Sequence, residues 1–297
     1  MSMSKVLILK DNYNSFEKYY LSMLNRENVD SFFYYKNSSI LRKIMTHYGL
    51  WCEKIWFSKW KKGLDCYDVI IVFDSLHTSN LLKYIHSHSN VRIIYWHWNP
   101  VKTENEKNII RETQGWCEHW TFNPDDALKY KMKLNNQFFF FQEETCSVKE
   151  RKAFFVGADK GRYQQLVFIA NQLKEHNIVP DFHVVDSESI GQFYQKEYMD
   201  YDEVIPALRN TKIVVEIVQT GQNGLTVRAL EAMFFGAKLI TNNQKIKECS
   251  FYKKENVYII QEEENIGEFL STPFKSIERE KLYPYSAEGW LNNFFDN

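Results

Sequence analysis

Short apolar runs alternate along the whole chain with longer stretches of helical spacing. KVLIL (Lys5–Leu9) predicts a first strand, and Ser15–Leu24 behind it has the spacing of an amphipathic helix. YDVIIVFD (Tyr67–Asp74) and VRIIYWHW (Val91–Trp98) are unbroken apolar runs, the pattern of strands covered on both faces. HWTF (His119–Phe122) is a shorter run. PDDALKYKMK after it opens with proline and acids, as helices do. QFFFFQ (Gln137–Gln142) predicts the strand that closes the first half.

The alternation then starts again. KAFFVG (Lys152–Gly157), DFHVVD (Asp181–Asp186), KIVVEIV (Lys212–Val218), AKLIT (Ala237–Thr241) and NVYII (Asn256–Ile260) predict strands. Tyr163–Glu175, Asp202–Asn210, the stretch from Leu225 and NIGEFL predict helices between them, and YSAEGWLNNFFDN predicts a terminal aromatic helix. Strand and helix in regular turn mean βαβ units and parallel sheets with helices on both faces. Two such series predict an α/β protein of two Rossmann-like domains facing each other across a cleft. Polar EETCSVKER (Glu143–Arg151) puts the boundary between 1–148 and 149–297. Ligands of such sheets bind beyond the carboxyl ends of the strands, so the cleft is the expected site.

The chain has 297 residues, enough for two domains of about 150 residues each. Hydrophobic residues make up 44% and charged residues 25%, the balance of a globular protein in water. A net charge of -1 argues against a general attraction to nucleic acid. No apolar run reaches the eighteen or so residues of a membrane span, and the apolar core of MSMSKVLILKDN is too short for a secretory signal. The five cysteines, Cys52, Cys66, Cys117, Cys146 and Cys249, are scattered and lack metal-type spacing, which suits free thiols in a reducing cytoplasm.

Four segments carry candidate chemistry. In VGADKGR (Val156–Arg162) a strand ends at Gly157, with Lys160, Gly161 and Arg162 just beyond. Glycines let backbone N–H groups approach a ligand, and the two cations suit phosphate oxygens; the competing reading is a solvated turn. In QTGQNGLTVRALEAMFFGAKLIT, Asn223 is the expected helix N-cap, and the N–H groups of Gly224, Leu225 and Thr226 form an anion site at the positive end of the helix. The helix behind is apolar around most of its circumference, yet Arg228 and Glu231 share one side. Glu231 pairs with Arg228, reaches solvent or binds a polyol; a surface ion pair is the plain alternative.

In YWHWNPV (Tyr95–Val101), His97 ends a strand, where a proton-transferring group belongs. Trp96, Trp98 and Asn99 beside it suit an acceptor sugar. Asp11, after the first strand, is the other candidate base. A buried histidine and a turn aspartate are the alternatives. Arg42–Lys62 carries six Lys/Arg against one acid, interleaved with Trp51, Ile55, Trp56, Phe57 and Trp60. That pattern fits a helix lying on an anionic membrane, or one packing its tryptophans inward.

The segment GQNGLTVRALEAMFFGAKLIT, and within it Leu-Glu-Ala-Met-x-x-Gly at Leu230–Gly236, resembles the donor-binding segment of GT-B glycosyltransferases, in particular bacterial enzymes that build capsular or lipopolysaccharide chains. The motif spans about a tenth of the sequence. The resemblance implies that the second domain binds a nucleotide-sugar donor, with the diphosphate held by the loop, the helix N-terminus, Lys160 and Arg162. It implies ribose binding by Glu231 and a last helix, Tyr285–Phe295, that crosses back to the first domain. Many retaining members carry two glutamates eight positions apart; here Asn223 stands eight before Glu231, which leaves inversion or retention open.

The resulting expectation is a hexosyl-transferring glycosyltransferase acting on a capsule, lipopolysaccharide or exopolysaccharide acceptor, with no cofactor and no metal, because cations and helix N–H groups stabilise the leaving diphosphate. It would work in the cytoplasm, with peripheral contact at the inner face of the membrane through Arg42–Lys62. A nucleotide-sugar epimerase and a non-catalytic binding module on the same scaffold are the alternatives.

Overall fold

The structure is a computed structural model that describes all residues except 1–3, 12–13, 37–52, 76–77, 142–148, 187–190, 220–223, 261–265 and 297. Two compact units share the chain, Met1–Asn135 and Asn136–Asn297.

The first unit is built on strands β1 (Val6–Lys10), β2 (Val29–Phe33), β3 (Val69–Phe73), β4 (Arg92–His97), β5 (Glu118–Thr121) and β6 (Lys133–Leu134). They lie in the order β2-β1-β3-β4-β5-β6 with every pairing parallel; Ile8, for example, sits beside Ser31 on one flank and Ile71 on the other. All five residues of β1 and of β3 are buried, which explains their unbroken apolar runs. Edge strand β2 buries only Val29 fully, so its sequence, VDSFF, carries no such run and is not legible as a strand. Helices Ser15–Leu24, Ser79–His88, Glu104–Thr113 and Pro124–Tyr130 follow strands β1, β3, β4 and β5. Asn14 with Glu17, and Thr103 with Glu106, close capping boxes at two of these helix starts.

From β1 the chain steps to one side for β2 and to the other for β3. The switch point of the sheet therefore lies at the carboxyl ends of β1 and β3, where Lys10, Asp11, Asp74 and Ser75 follow the apolar runs.

The second unit carries β7 (Glu150–Ala158), β8 (Val179–Val185), β9 (Thr211–Glu216), β10 (Lys238–Thr241) and β11 (Val257–Ile259). The order is β11-β10-β9-β7-β8, again parallel throughout, with the switch point between β7 and β9. Tyr163–Glu175 forms a helix with the bounds its spacing predicts, and Asp200 starts the Tyr201–Asn210 helix with a capping box.

QFFFFQ differs from its expectation. Its described residues join no sheet; Phe139 makes a bridge to Ser286, and Phe138 stacks on Trp290 with ring centres 4.2 Å apart. Phe138, Phe139 and Trp290 are each fully buried, so the aromatic run serves as packing for the final helix, Ala287–Asn292, in the second unit.

Candidate functional site

The second unit assembles most of the expected donor residues at its switch point. After β7, Asp159 accepts from Tyr163 N–H at 2.8 Å and so caps the Tyr163–Glu175 helix. Lys160 and Gly161 turn the chain through left-handed backbone, φ 49° and 81°. Glycine adopts that conformation at no steric cost, and lysine does so with some strain. Lys160 and Gly161 are exposed there.

Arg162 folds back over the turn. Its Nε and Nη2 donate to the Ala158 carbonyl at 3.1 and 2.8 Å, and its Nη1 donates to the Ile217 carbonyl at 2.5 Å. The guanidinium thus ties the end of β7 to the chain leaving β9, and its carbon lies 5.0 Å from the centre of the Phe155 ring. Gly157 makes room for it: a Cβ there would meet Arg162 Nη2 at 3.0 Å.

At the end of β9, Glu216 is buried. It accepts hydrogen bonds from the hydroxyls of Thr226 and Thr241, the latter at 2.5 Å. Thr226 is the N-cap of the Val227–Phe234 helix and accepts from Ala229 N–H at 3.3 Å. The helix therefore starts at Val227 rather than Leu225, because the threonine hydroxyl takes the capping role expected of Asn223. Asn223 lies outside the described residues. Asn242 bonds both ways with the backbone of Val218, and the Asn243 amide donates to the Gly224 carbonyl at 3.3 Å, so both stems of the glycine loop are tied to the chain after β10. Leu225 and Thr226 are half-buried and Gly224 is buried.

Arg228 and Glu231 form an ion pair at 2.5 Å, with the side chains 22% and 1% exposed. This is no surface pair: the glutamate is sealed in, and its other oxygen accepts from the Tyr201 hydroxyl. Burial pushes the carboxyls of Glu216 and Glu231 above the usual range, and Arg228 pulls both back. Burial lowers the Arg162 guanidinium and the Arg228 charge lowers it further, whereas Asp159 and Glu216 act in the opposite sense. Two guanidiniums and two carboxylates therefore share one electrostatic environment at the head of this helix.

The first unit gathers a different set. Lys10 is only 5% exposed and lies over the rings of Phe73 and Trp98, 4.8 and 4.9 Å from their centres. Burial lowers its ammonium, and the charges of Glu17, Asp74 and Asp11 oppose that. Asp11 is buried and accepts from the Ser75 hydroxyl at 2.9 Å. Asp74 accepts from Asn99 N–H at 3.1 Å; burial pushes its carboxyl up to about 6 against the pull of Lys10.

His97 is 1% exposed and belongs to a buried relay. Thr113 donates to the Ile109 carbonyl at 2.6 Å, so it accepts from His119 Nε2 at 2.8 Å. His119 Nδ1 is then the acceptor for His97 Nε2–H at 3.0 Å. Burial, then His119, holds His97 well below the usual histidine range; burial brings His119 down to about 4. Trp96 is fully buried, Trp98 is half-buried against Tyr20, and Asn99 is exposed.

Only residues 53–62 of the Arg42–Lys62 segment are described. Within 53–62, Glu53–Trp56 is a single turn and Lys59–Lys61 a 3-10 turn, not one continuous helix. Phe57 and Trp60 are each 1% exposed, and Trp60 Nε1 donates to the Tyr34 carbonyl at 2.9 Å. The described tryptophans thus pack inward while Lys54, Lys59 and Lys62 face water. Among the described residues no helix is long and apolar enough to cross a membrane, and no group of three or more His, Cys, Asp or Glu is placed to hold a metal ion. Cys66, Cys117 and Cys249 are free thiols; Cys52 and Cys146 lie outside the described residues.

Sequence reasoning missed Lys10, Asp74, Glu216 and Tyr201. A signal for two of them was present: Asp74 closes the apolar run YDVIIVFD, and Glu216 interrupts KIVVEIV. An acid at the end of a doubly buried strand has to be paired or functional.

No protein-family model and no curated protein matches the chain. Solved structures do. An alpha-glucosyltransferase in complex with UDP and a 13-mer DNA is 13% identical, with 98% of each chain covered and a TM-score of 0.62. Sucrose-phosphate synthase from Thermosynechococcus elongatus is 9% identical over 98% of this chain and 97% of that one, with a TM-score of 0.57. An alpha,alpha-trehalose-phosphate synthase (UDP-forming) from Burkholderia xenovorans, in complex with glucose-6-phosphate, is 9% identical over 98% of this chain and 99% of that one, with a TM-score of 0.56. At these identities the likeness is one of fold: two parallel-sheet α/β units, as in GT-B glycosyltransferases.

Proposed function

We propose that this chain is a glycosyltransferase that moves a hexosyl group from a nucleotide-sugar donor to a hydroxyl of a glycan. One observation carries the reading: Arg162, bonded across the ends of β7 and β9, and Arg228, in the first turn of the Thr226-capped helix, stand at one β-α switch point. Two neighbouring guanidiniums and the positive end of a helix suit an anion with two phosphates. Exposed Lys160 on the preceding turn adds a third cation.

In the transfer, the acceptor oxygen bonds to the anomeric carbon, the bond from that carbon to the diphosphate oxygen breaks, and the acceptor proton passes to a base. Negative charge grows on the departing diphosphate. Fixed cations and N–H groups stabilise that charge without reorganising, and each such donor is worth about 3–4 kcal/mol of barrier. The arginines supply the charge that a divalent ion would otherwise bring, so the proposed reaction is metal-independent. Asp11 and His97 remain the proposed proton acceptors, with Trp96, Trp98 and Asn99 on the acceptor side.

UDP is the first nucleotide to test, because two of the similar structures have UDP in their descriptions. The resemblance of Leu230–Gly236 to capsule- and lipopolysaccharide-building enzymes supports a bacterial surface glycan as acceptor. A native mass-spectrometric screen against UDP-, GDP-, CMP- and dTDP-sugars tests the reading, followed by nucleotide release with and without EDTA. The expected result is one bound donor and release that continues in EDTA. Binding with no release for any acceptor glycan would reduce the chain to a binding module, and no binding at all would overturn the reading.

A further inference from the structure

We infer that Arg228, not Glu231, is the group that meets the nucleotide, and that Glu231 is a positioning residue that aims Arg228 at the diphosphate. The inference rests on the nucleotide-sugar reading above and assigns the work inside that site. A ribose-binding carboxylate has to offer an oxygen to two sugar hydroxyls. Glu231 is closed off from such a ligand: its side chain is 1% exposed, with one oxygen ion-paired to Arg228 at 2.5 Å and the other accepting from the Tyr201 hydroxyl. Arg228 keeps 22% of its side chain exposed and stands in the first turn of the Val227–Phe234 helix, at its positive end. Its charge is felt by Glu216 and by Arg162, the guanidinium that spans the ends of β7 and β9.

The chemistry of this arrangement is that of a held cation. A free arginine side chain samples many rotamers, and fixing it on an anion costs conformational entropy. Glu231, itself fixed by Tyr201, removes that freedom beforehand, so the guanidinium is already oriented when the phosphates arrive. The apolar helix keeps its two charged residues because one is the tool and the other its mount.

The test is calorimetric titration of UDP, 2′-deoxy-UDP and pyrophosphate into the wild type, Glu231→Gln, Arg228→Gln and the double variant, with near-UV circular dichroism to confirm the fold. Tyr201→Phe is the milder variant should Glu231→Gln unfold. Glu231→Gln is expected to weaken all three ligands by a similar factor, roughly tenfold to a hundredfold for a lost charged hydrogen bond. Arg228→Gln should do the same, and the double variant should be no worse than Arg228→Gln alone. Tyr201→Phe should give a smaller loss, again equal for the three ligands. A loss confined to UDP, with 2′-deoxy-UDP and pyrophosphate unaffected, would restore ribose binding to Glu231 and overturn the inference, as would unchanged affinity in Glu231→Gln. Failure of the wild type to bind any of the three would sink the nucleotide-sugar reading itself.

Discussion

The two units place different charge inventories at the same topological position. At the switch point of the first sheet, Asp11, Glu17 and Asp74 act on one buried ammonium, Lys10. At the switch point of the second, two guanidiniums and exposed Lys160 lie with the buried carboxylates of Asp159, Glu216 and Glu231. The same strand order thus produces an acid-rich strand end and one where three cations stand with three acids. Topology decides where a ligand binds; the few polar residues that end the apolar strands decide its sign. On the proposed function, the second end takes the diphosphate and the first suits uncharged hydroxyls.

The largest expected effect comes from removing the one cation of the first cluster. Lys10→Met leaves buried carboxylates uncompensated and should cost about 3–5 kcal/mol in urea unfolding. The deficit should shrink in acid as the carboxyls take up protons; a deficit independent of pH would show that Lys10 contributes packing alone.

Asp74 sharpens the contrast through pH. Its folded carboxyl titrates at about 6, above the ordinary 3.8. A raised acid favours the protonated folded state, so the stability it contributes is full below about pH 4 and is lost as pH rises through about 6. Asp74→Asn should therefore be more stable than the wild type above pH 6, by on the order of 2 kcal/mol, with the difference closing below pH 4. The His97–His119 relay has the opposite sign. With His119 down at about 4, folding favours neutral rings, and that stability is lost as pH falls from about 6.5 toward 4. Replacing His119 with Gln should flatten the acid limb; an unchanged limb would separate the relay from acid unfolding.

Most of the architecture was legible because period and burial coincide. Strands β1, β3, β4 and β9 read as apolar runs because helices cover both faces, and the Tyr163–Glu175 helix was readable to the residue. Edge strand β2 was not, since half-burial permits a mixed sequence. QFFFFQ misled because a buried aromatic run looks the same whether it pairs in a sheet or packs on a helix. The residues gathered at the second switch point were reached through their glycines and through one motif. Their wiring was not: nothing in the spacing shows that Thr226 rather than Asn223 caps the helix, that Tyr201 reaches Glu231, or that Arg162 spends its donors on strand-end carbonyls. Trp56 and Trp60 fitted two orientations, on a membrane or against the core, and only packing separates them.

Thr226→Val gives the smallest effect. It removes a helix cap and one of the two hydroxyls on Glu216, for about 1 kcal/mol in thermal or urea unfolding. Loss of nucleotide affinity well beyond that of Lys160→Ala would show that Thr226 also touches the ligand.

The two-guanidinium diphosphate site is tested by calorimetric titration of UDP into the wild type and into Arg162→Gln/Arg228→Gln. Saturable one-to-one binding to the wild type is expected, weakened at least about a hundredfold when both guanidiniums are gone. Equal affinity in the two proteins would contradict it.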